Sequence, residues 1–314
     1  MRKKLVKLPG GKVVAFRPAP IAKYLAGSTS TTLMQHRPAS VSSPPLPPAP
    51  QENPTHPTTS DSNRQVMDIS ILEEANVLII GCGAFGSYIA HLLAAVTSLV
   101  ITIIDFDIIE YKHTQGARTI FEAGQVRKKK VYAAKEKIER DYPLSIVNPY
   151  PYNVLDLPAI VLTQLAKKAA VVINAIDSGD GMLRINDLFY SIVEVLYVAA
   201  HRAAASGHII MTAPFATACL RCCMDIESAD DIRTLHAEPG LGVDIRIIAH
   251  HCVTIALELM FAKATGQPIE RWDVTRNIFY IANRQQQHSP DGPGVIMQQG
   301  HKRPGCPICS TAVV

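Results

Sequence analysis

The chain has 314 residues, 47% of them hydrophobic and 18% charged, enough apolar material for one large or two ordinary domains; a wholly disordered chain is excluded. Its net charge of +4 is uneven: residues 1–66 carry +7 and residues 67–314 carry −3, which argues against nucleic acid as the main partner, because phosphate recognition needs a basic face. No run of about 18 uninterrupted apolar residues is found and the basic N-terminus lacks the apolar core of a secretion signal, so neither a membrane span nor export is expected.

Residues 1–17 read as a hairpin, with apolar runs at 5–8 and 13–16 flanking Pro9, Gly10 and Gly11. Residues 18–66 turn to Pro, Ser, Thr and Ala, a composition that cannot bury enough apolar surface to offset its ordering, and are expected to be a disordered linker. Folded structure is expected over 67–314. There a strand at 76–80 leads into a helix at 87–95, followed by a strand at 99–104, a charged helix at 125–141 and a strand at 145–152. A helix at 157–168, a strand at 170–176, a helix at 182–192 and strands at 195–200 and 207–214 follow. This alternation of helices with nearly continuous apolar strands predicts an α/β fold with a doubly wound, mostly parallel sheet. The C-terminal portion is mixed, with one long helix at 243–265 and strands at 276–282 and 295–298.

Between the first strand and first helix stands Gly81-Cys82-Gly83-Ala84-Phe85-Gly86, and Asp105 lies nineteen residues after Gly86 at the end of the second strand. Gly81 permits the turn, Gly83 lets backbone approach a phosphate, and Gly86 lets helix and strand pack closely. The helix N-terminus offers unpaired N–H groups to an anion, and Asp105 can accept from ribose hydroxyls. This loop alone fits a nicotinamide-dependent oxidoreductase as well as an ATP user. Two CxxC pairs, Cys219/Cys222 and Cys306/Cys309, form a tetrahedral zinc signal and suit a reducing compartment, the cytoplasm, better than a disulfide framework. Cys82 and Cys252 read as small buried fillers.

The run IIGCGAFGSYIAHLLA, then IDFDIIE, then VRKKKVYAAKEKI resembles the ubiquitin-activating-enzyme-like adenylyltransferases typified by ThiF, MoeB and HesA. The resemblance covers about residues 70–310. It places the glycine loop at Gly81, Gly83, Gly86 and Ser87, the DxD acids at Asp105 and Asp107, and the phosphate-binding lysine at Lys130. Asp177 falls on the magnesium-linked aspartate and Asn186 on an asparagine farther along the same helix. Arg118, in a poorly matching segment, falls near the family's arginine. Asn174, Ser178, Arg127 and Met182 stand where the family has aspartate, asparagine, glycine and arginine.

The resemblance implies ATP and Mg2+ as reactants, a structural Zn2+ on Cys219, Cys222, Cys306 and Cys309, and a homodimer. It further implies adenylylation of the C-terminal carboxylate of a small ubiquitin-like or sulfur-carrier protein, or a peptide, ending in glycine. Lys130, Asp177 and Arg118 would supply or hold the positive charge that lets a carboxylate approach the α-phosphate. Residues 224–242, where thioester- or persulfide-forming relatives carry a cysteine, contain none, which favours an enzyme that stops at the adenylate. A nicotinamide-dependent oxidoreductase leaves Lys130, Asp177 and the cysteines without a role. A non-catalytic scaffold is the reading that the departures at Asn174 and Ser178 would favour.

Overall fold

The computed structural model describes residues 4–7, 13–16, 67–201, 203–226, 240–269, 271–273, 275–285, 289 and 292–310. The proline-rich linker expected at 18–66 lies outside these residues, as does 227–239. Strands β1 (Lys4–Lys7) and β2 (Val13–Phe16) pair antiparallel, Lys4 opposite Phe16.

The main body is built on eight strands: β3 (Asn76–Ile80), β4 (Val100–Ile104), β5 (Ile146–Tyr150), β6 (Val171–Asn174), β7 (Val195–His201), β8 (Ser206–Thr212), β9 (Ile278–Ala282) and β10 (Gly294–Gln298). Their order across the sheet is β10-β9-β8-β7-β6-β3-β4-β5. The five strands from β7 to β5 run parallel, whereas β8, β9 and β10 add antiparallel. This is the doubly wound, mostly parallel sheet with a mixed C-terminal portion that the residue pattern predicts. Strand order reverses between β3 and β6, which places a ligand crevice above their carboxyl ends.

Both faces of the sheet are covered, which is why the strands read as unbroken apolar runs. On one face lie α1 (Ala84–Val96), α2 (Lys130–Asp141) and α6 (Gly242–Thr265), burying Ile89, Leu93, Val131, Ile138, Ile248, Cys252 and Ile255 with Ile79, Ile103 and Ile173. On the other lie α3 (Ala159–Lys168) and α4 (Gly179–Phe189), where Leu162, Ile185 and Phe189 meet Leu78, Val172 and Tyr197. The 24-residue α6 is apolar and long enough to cross a membrane, but half of it is buried inside the protein, as a core helix is. A four-residue α5 (Leu220–Cys223) carries the first CxxC pair.

The helix expected from residue 125 begins only at Lys130. Gln125 ends a separate 3-10 turn, and Arg127 adopts φ 75°, a left-handed conformation that no α-helix interior allows. The Arg127 N–H bonds to Ile109 O at 2.8 Å, so the kink is tied to the segment after β4. It turns α2 so that Lys130 faces inward. Arg127 is exposed and occupies a conformation natural to glycine. Arg127→Gly should therefore raise stability by roughly 0.5–1 kcal/mol, the left-handed cost less the entropy glycine adds to the unfolded chain. Denaturant titration of the two proteins measures this; a loss of stability would show that Arg127 makes a contact outweighing its backbone cost.

Candidate functional site

The glycine loop is tight by necessity. Gly81 has φ 95°, and a Cβ there would lie 2.7 Å from Ala175 O, on the strand-end loop after β6. A Cβ on Gly86 would come to 1.8 Å from Gly81 O, so only glycine lets α1 sit this close to β3. A Cβ on Gly83 would meet nothing within 4 Å: the loop is open on that side. Gly83 is also the N-cap of α1 and offers no side chain to the first N–H groups, which face the crevice with the positive end of the helix dipole. Ser87, one turn into the helix, is wholly buried, and its Oγ has no hydrogen-bond partner.

A continuous chain of polar contacts joins this loop to α2. The Cys82 N–H donates to Asp105 Oδ2 at 2.6 Å, and the Asp107 N–H donates to Asp105 Oδ1 at 2.7 Å. Asp107 Oδ2 in turn accepts from Lys130 Nζ at 2.7 Å, while Asp107 O accepts the Lys130 N–H at 3.0 Å. Burial pushes the Asp105 carboxyl up, opposed by the Lys130 charge and by the two N–H groups it accepts. Each Asp105 oxygen keeps a further lone pair for a ligand hydroxyl, and Lys130 Nζ keeps two of its three donors. The Lys130 side chain is only 6% exposed, against 46% for Asp107, so its charge is fixed in place. Burial holds the Cys82 thiol well above its ordinary range, in keeping with a packing role.

Asp177 stands exposed at the carboxyl end of β6, three residues past Asn174. The loop that carries it is held against the glycine loop by the Ala175 N–H, which donates to Ile80 O at 2.8 Å. Ser178, where the resemblance expects asparagine, is the N-cap of α4, its Oγ accepting from the Gly181 N–H at 3.2 Å. Asn186 is fully buried and holds the Leu220 N–H at 2.9 Å through Oδ1, tying α4 to the first CxxC pair.

Arg118 is placed by a strut that the sequence does not reveal. Tyr88, on α1 beside Ser87, lies with its hydroxyl 2.7 Å from Ala117 O and 2.9 Å from Thr119 O, the carbonyls flanking Arg118. Arg246 of α6 donates to the same hydroxyl and lies over the Tyr88 ring, 4.4 Å from its centroid. Arg118 Nε and Arg246 Nε are both buried without a partner. The sequence gives no sign of this contact, because 158 residues separate Tyr88 from Arg246.

The four cysteines come together as expected. The Sγ atoms of Cys219, Cys222, Cys306 and Cys309 all lie within 4.8 Å of one another, with Cys219–Cys306 at 3.7 Å and Cys222–Cys309 at 3.4 Å. Zn–S bonds of ~2.3 Å in a tetrahedron require sulfur separations of about 3.8 Å, so the set fits zinc. All four are buried, which leaves no open coordination position. The neighbouring Cys223 points instead toward Asn277, whose Nδ2 lies 3.4 Å from its Sγ.

Comparison with known proteins bears on the family and the fold. A family model described as the ThiF family matches residues 63–292. Among solved structures, E. coli MccB with ATP superposes with a TM-score of 0.60 at 17% identity, covering 76% of this chain and 68% of that one. MccB with AMPCPP and SeMet MccA gives the same values. The Microcin C7 biosynthetic enzyme MccB in complex with N-formylated MccA gives a TM-score of 0.59 at 17% identity, over 76% of this chain and 69% of that one. At such identity the likeness is one of fold. A search of curated proteins finds no significant match.

Metal analysis should find about one zinc per chain, and Cys306→Ser should lower the melting temperature, because the C-terminal segment loses its tether to α5. Purified protein that is metal-free and melts unchanged after the substitution would show that the thiols merely pack.

Proposed function

The chain belongs to the ThiF family, and we propose that it uses ATP to adenylylate the terminal carboxylate of a peptide or small protein, releasing pyrophosphate. The observation that carries this reading is the contact chain from Lys130 through Asp107 and Asp105 to the glycine-loop N–H of Cys82. It fixes a ribose acceptor, an anion-binding helix start and a buried cation around one crevice. A nicotinamide enzyme would use the first two of these and leave Lys130 without work.

In the proposed reaction a carboxylate oxygen attacks the α-phosphorus of ATP. The bond from that phosphorus to the bridging oxygen breaks, the electron pair leaving with pyrophosphate, and an acyl adenylate remains. The attacking carboxylate is already ionised at neutral pH, so no general base is required. The protein's task is to orient two anions and neutralise the charge that develops as they meet. Asp105 would hold the ribose. The open N–H groups at Gly83 and the α1 dipole would receive phosphate oxygens, with Ser87 Oγ beside them. Lys130 would present its two remaining donors to the transferring phosphoryl group, and Arg118 would face the leaving pyrophosphate. Asp177, an exposed carboxylate at the mouth of the crevice, suits Mg2+, which when bound adds charge neutralisation between phosphates.

The finer parts of the reading belong to the same proposal: a ubiquitin-like or sulfur-carrier partner ending in glycine, a homodimer and a cytoplasmic location. The exposed apolar residues Leu241, Val243 and Ile247 at the start of α6 support a second copy as the partner of that face. The thiolates of the cysteine set support a reducing compartment.

Pyrophosphate exchange tests the reaction. Lys130→Ala should lower exchange by ~10²-fold or more, the usual loss for one electrostatic contact to a transition state. Asp177→Asn should lower turnover more than ATP affinity. Exchange in the wild type that survives both substitutions would remove these roles; no exchange with any carboxylate, despite ATP binding, would favour a non-catalytic member of the family.

A further inference from the structure

A groove lies on the face of the sheet that α3 covers. In register, Leu78 of β3 stands opposite Thr102 of β4, and Thr102 opposite Asn148 of β5, so all three project to one side. Leu78 is buried in one cluster with Leu162 and Ala166 of α3. Beyond it the cover thins: Thr102, Asn148 and Tyr150 are half-buried, whereas Ile101, Ile103 and Val147, on the opposite face of the same strands, are fully buried. Between the end of α3 and β5 this leaves a cavity of about 470 Å³, an ordinary size for a small-molecule site.

Five polar side chains line it: Asn76, Thr102, Asn148, Tyr150 and Lys168. Among the described residues none of them meets a hydrogen-bond or ion-pair partner, and none has its polar atoms sealed from solvent. Thr102 and Asn148 are direct cross-strand neighbours, the arrangement in which such side chains ordinarily pair, and they do not. β5 also carries two poor strand formers, Asn148 and Pro149, along this stretch. Its outer edge is treated in the opposite way. Glu139 Oε1 accepts the Val147 N–H at 2.8 Å, and Lys135 Nζ donates to Val147 O at 3.0 Å. The protein thus satisfies β5 where it could meet another strand and leaves it open where it faces the groove.

The donors and acceptors define what would fill the space. The two carboxamides, the Thr102 hydroxyl and the Tyr150 phenol each donate and accept, whereas Lys168 only donates. An anion can only accept and would leave both amide oxygens bare; an ammonium can only donate and would meet Lys168. Among the described residues no carboxylate lines the groove. The Lys168 charge stands in the last turn of α3, where the negative end of the helix dipole offsets part of it. A hydroxyl matches every member of the set. The groups are spread over three neighbouring strands, about 10 Å at ~4.8 Å per strand, which suits a compact ring better than an extended chain. Pro149 and Leu165 supply an apolar wall for the C–H face of such a ring.

We propose that this groove binds an uncharged sugar, free or as the ribose of a nucleoside, through Asn76, Thr102, Asn148 and Lys168. The groove lies on the α3 face of the sheet, not above the glycine loop, and the inference does not depend on the adenylylation reading. At ordinary ligand efficiency a sugar of about a dozen non-hydrogen atoms binds in the millimolar range.

Saturation-transfer NMR on the full chain tests this, with a non-hydrolysable ATP analogue present to fill the crevice. The probes are ribose, glucose, maltose, adenosine, glucose 6-phosphate and trialanine. At least one of the first four should show transfer and bind at least tenfold more tightly than glucose 6-phosphate or trialanine. Adenosine binding tenfold more tightly than ribose would support a nucleoside as the ligand; otherwise a free sugar is supported. Asn148→Val and Thr102→Val should each weaken binding of that probe at least tenfold. Affinity for the ATP analogue should stay unchanged and melting temperature equal or higher, because valine suits a strand better. No transfer to any sugar, or binding no tighter than that of glucose 6-phosphate or trialanine, would overturn the proposal. So would sugar binding that neither substitution alters, or a large fall in melting temperature in both variants, which would make these side chains structural.

Discussion

The closeness of α1 to β3 is the constraint from which the rest of the site follows. With a side chain at Gly86 driven to 1.8 Å from Gly81 O, the helix would have to withdraw, and its first N–H groups would no longer line the crevice. The same loop is pressed from the other side, where Gly81 leaves no room for a Cβ beside Ala175 O. Two contacts thus bring the end of β6, and with it Asp177, to the start of α1. Asp105 completes the arrangement by accepting from Cys82 N–H, so β4 is bound to the loop that β3 presents. The ends of β3 and β6 converge because backbone meets backbone, and the end of β4 is held to them through the Asp105 side chain.

On this frame the charged groups are placed economically. Asp107 spends one oxygen on Lys130, and the buried lysine is neither unpaired nor fully consumed. A buried cation without a partner would be costly, while one fully satisfied could offer nothing to a phosphate. The left-handed turn at Arg127 is the local cost of aiming it, and the Tyr88–Arg246 strut does the same for the segment bearing Arg118. Both devices set the directions of side chains that the fold alone would leave at the surface.

What could be read from the residues divides along the range of the contacts involved. The parallel half was legible because β3, β4 and β6 are buried on both faces and each is followed by its own helix. The glycine loop, Asp105 and Lys130 were legible because fixed spacing along the chain sets their geometry, and the cysteines because one chemistry requires all four. Helix starts were less so: the spacing of apolar residues over 125–141 continues through Arg127 and gives no warning of a positive φ. Tyr88 and Arg246 lie on helices far apart in sequence, and nothing in either segment announces the other. His208 passed as one residue of the apolar strand expected at 207–214, and only the structure shows that strand to begin at Ser206 and to be buried along its length.

The position of α6 has a consequence for how the protein is made. One face of the parallel sheet is completed by Ile248, Cys252 and Ile255, which belong to a helix beginning about 150 residues after α1 ends. At ~5–20 residues per second, synthesis leaves that face waiting on the order of 10–30 s after α1 has emerged. Until α6 emerges, Leu93, Ile173 and Leu196 lack the part of their cover that it supplies. The nascent chain therefore presents a broad apolar surface beside unpaired strand edges, the species on which chaperones act and from which aggregates grow. Yield of this protein in a cell is thus expected to depend on translation speed and chaperone supply through a single late helix.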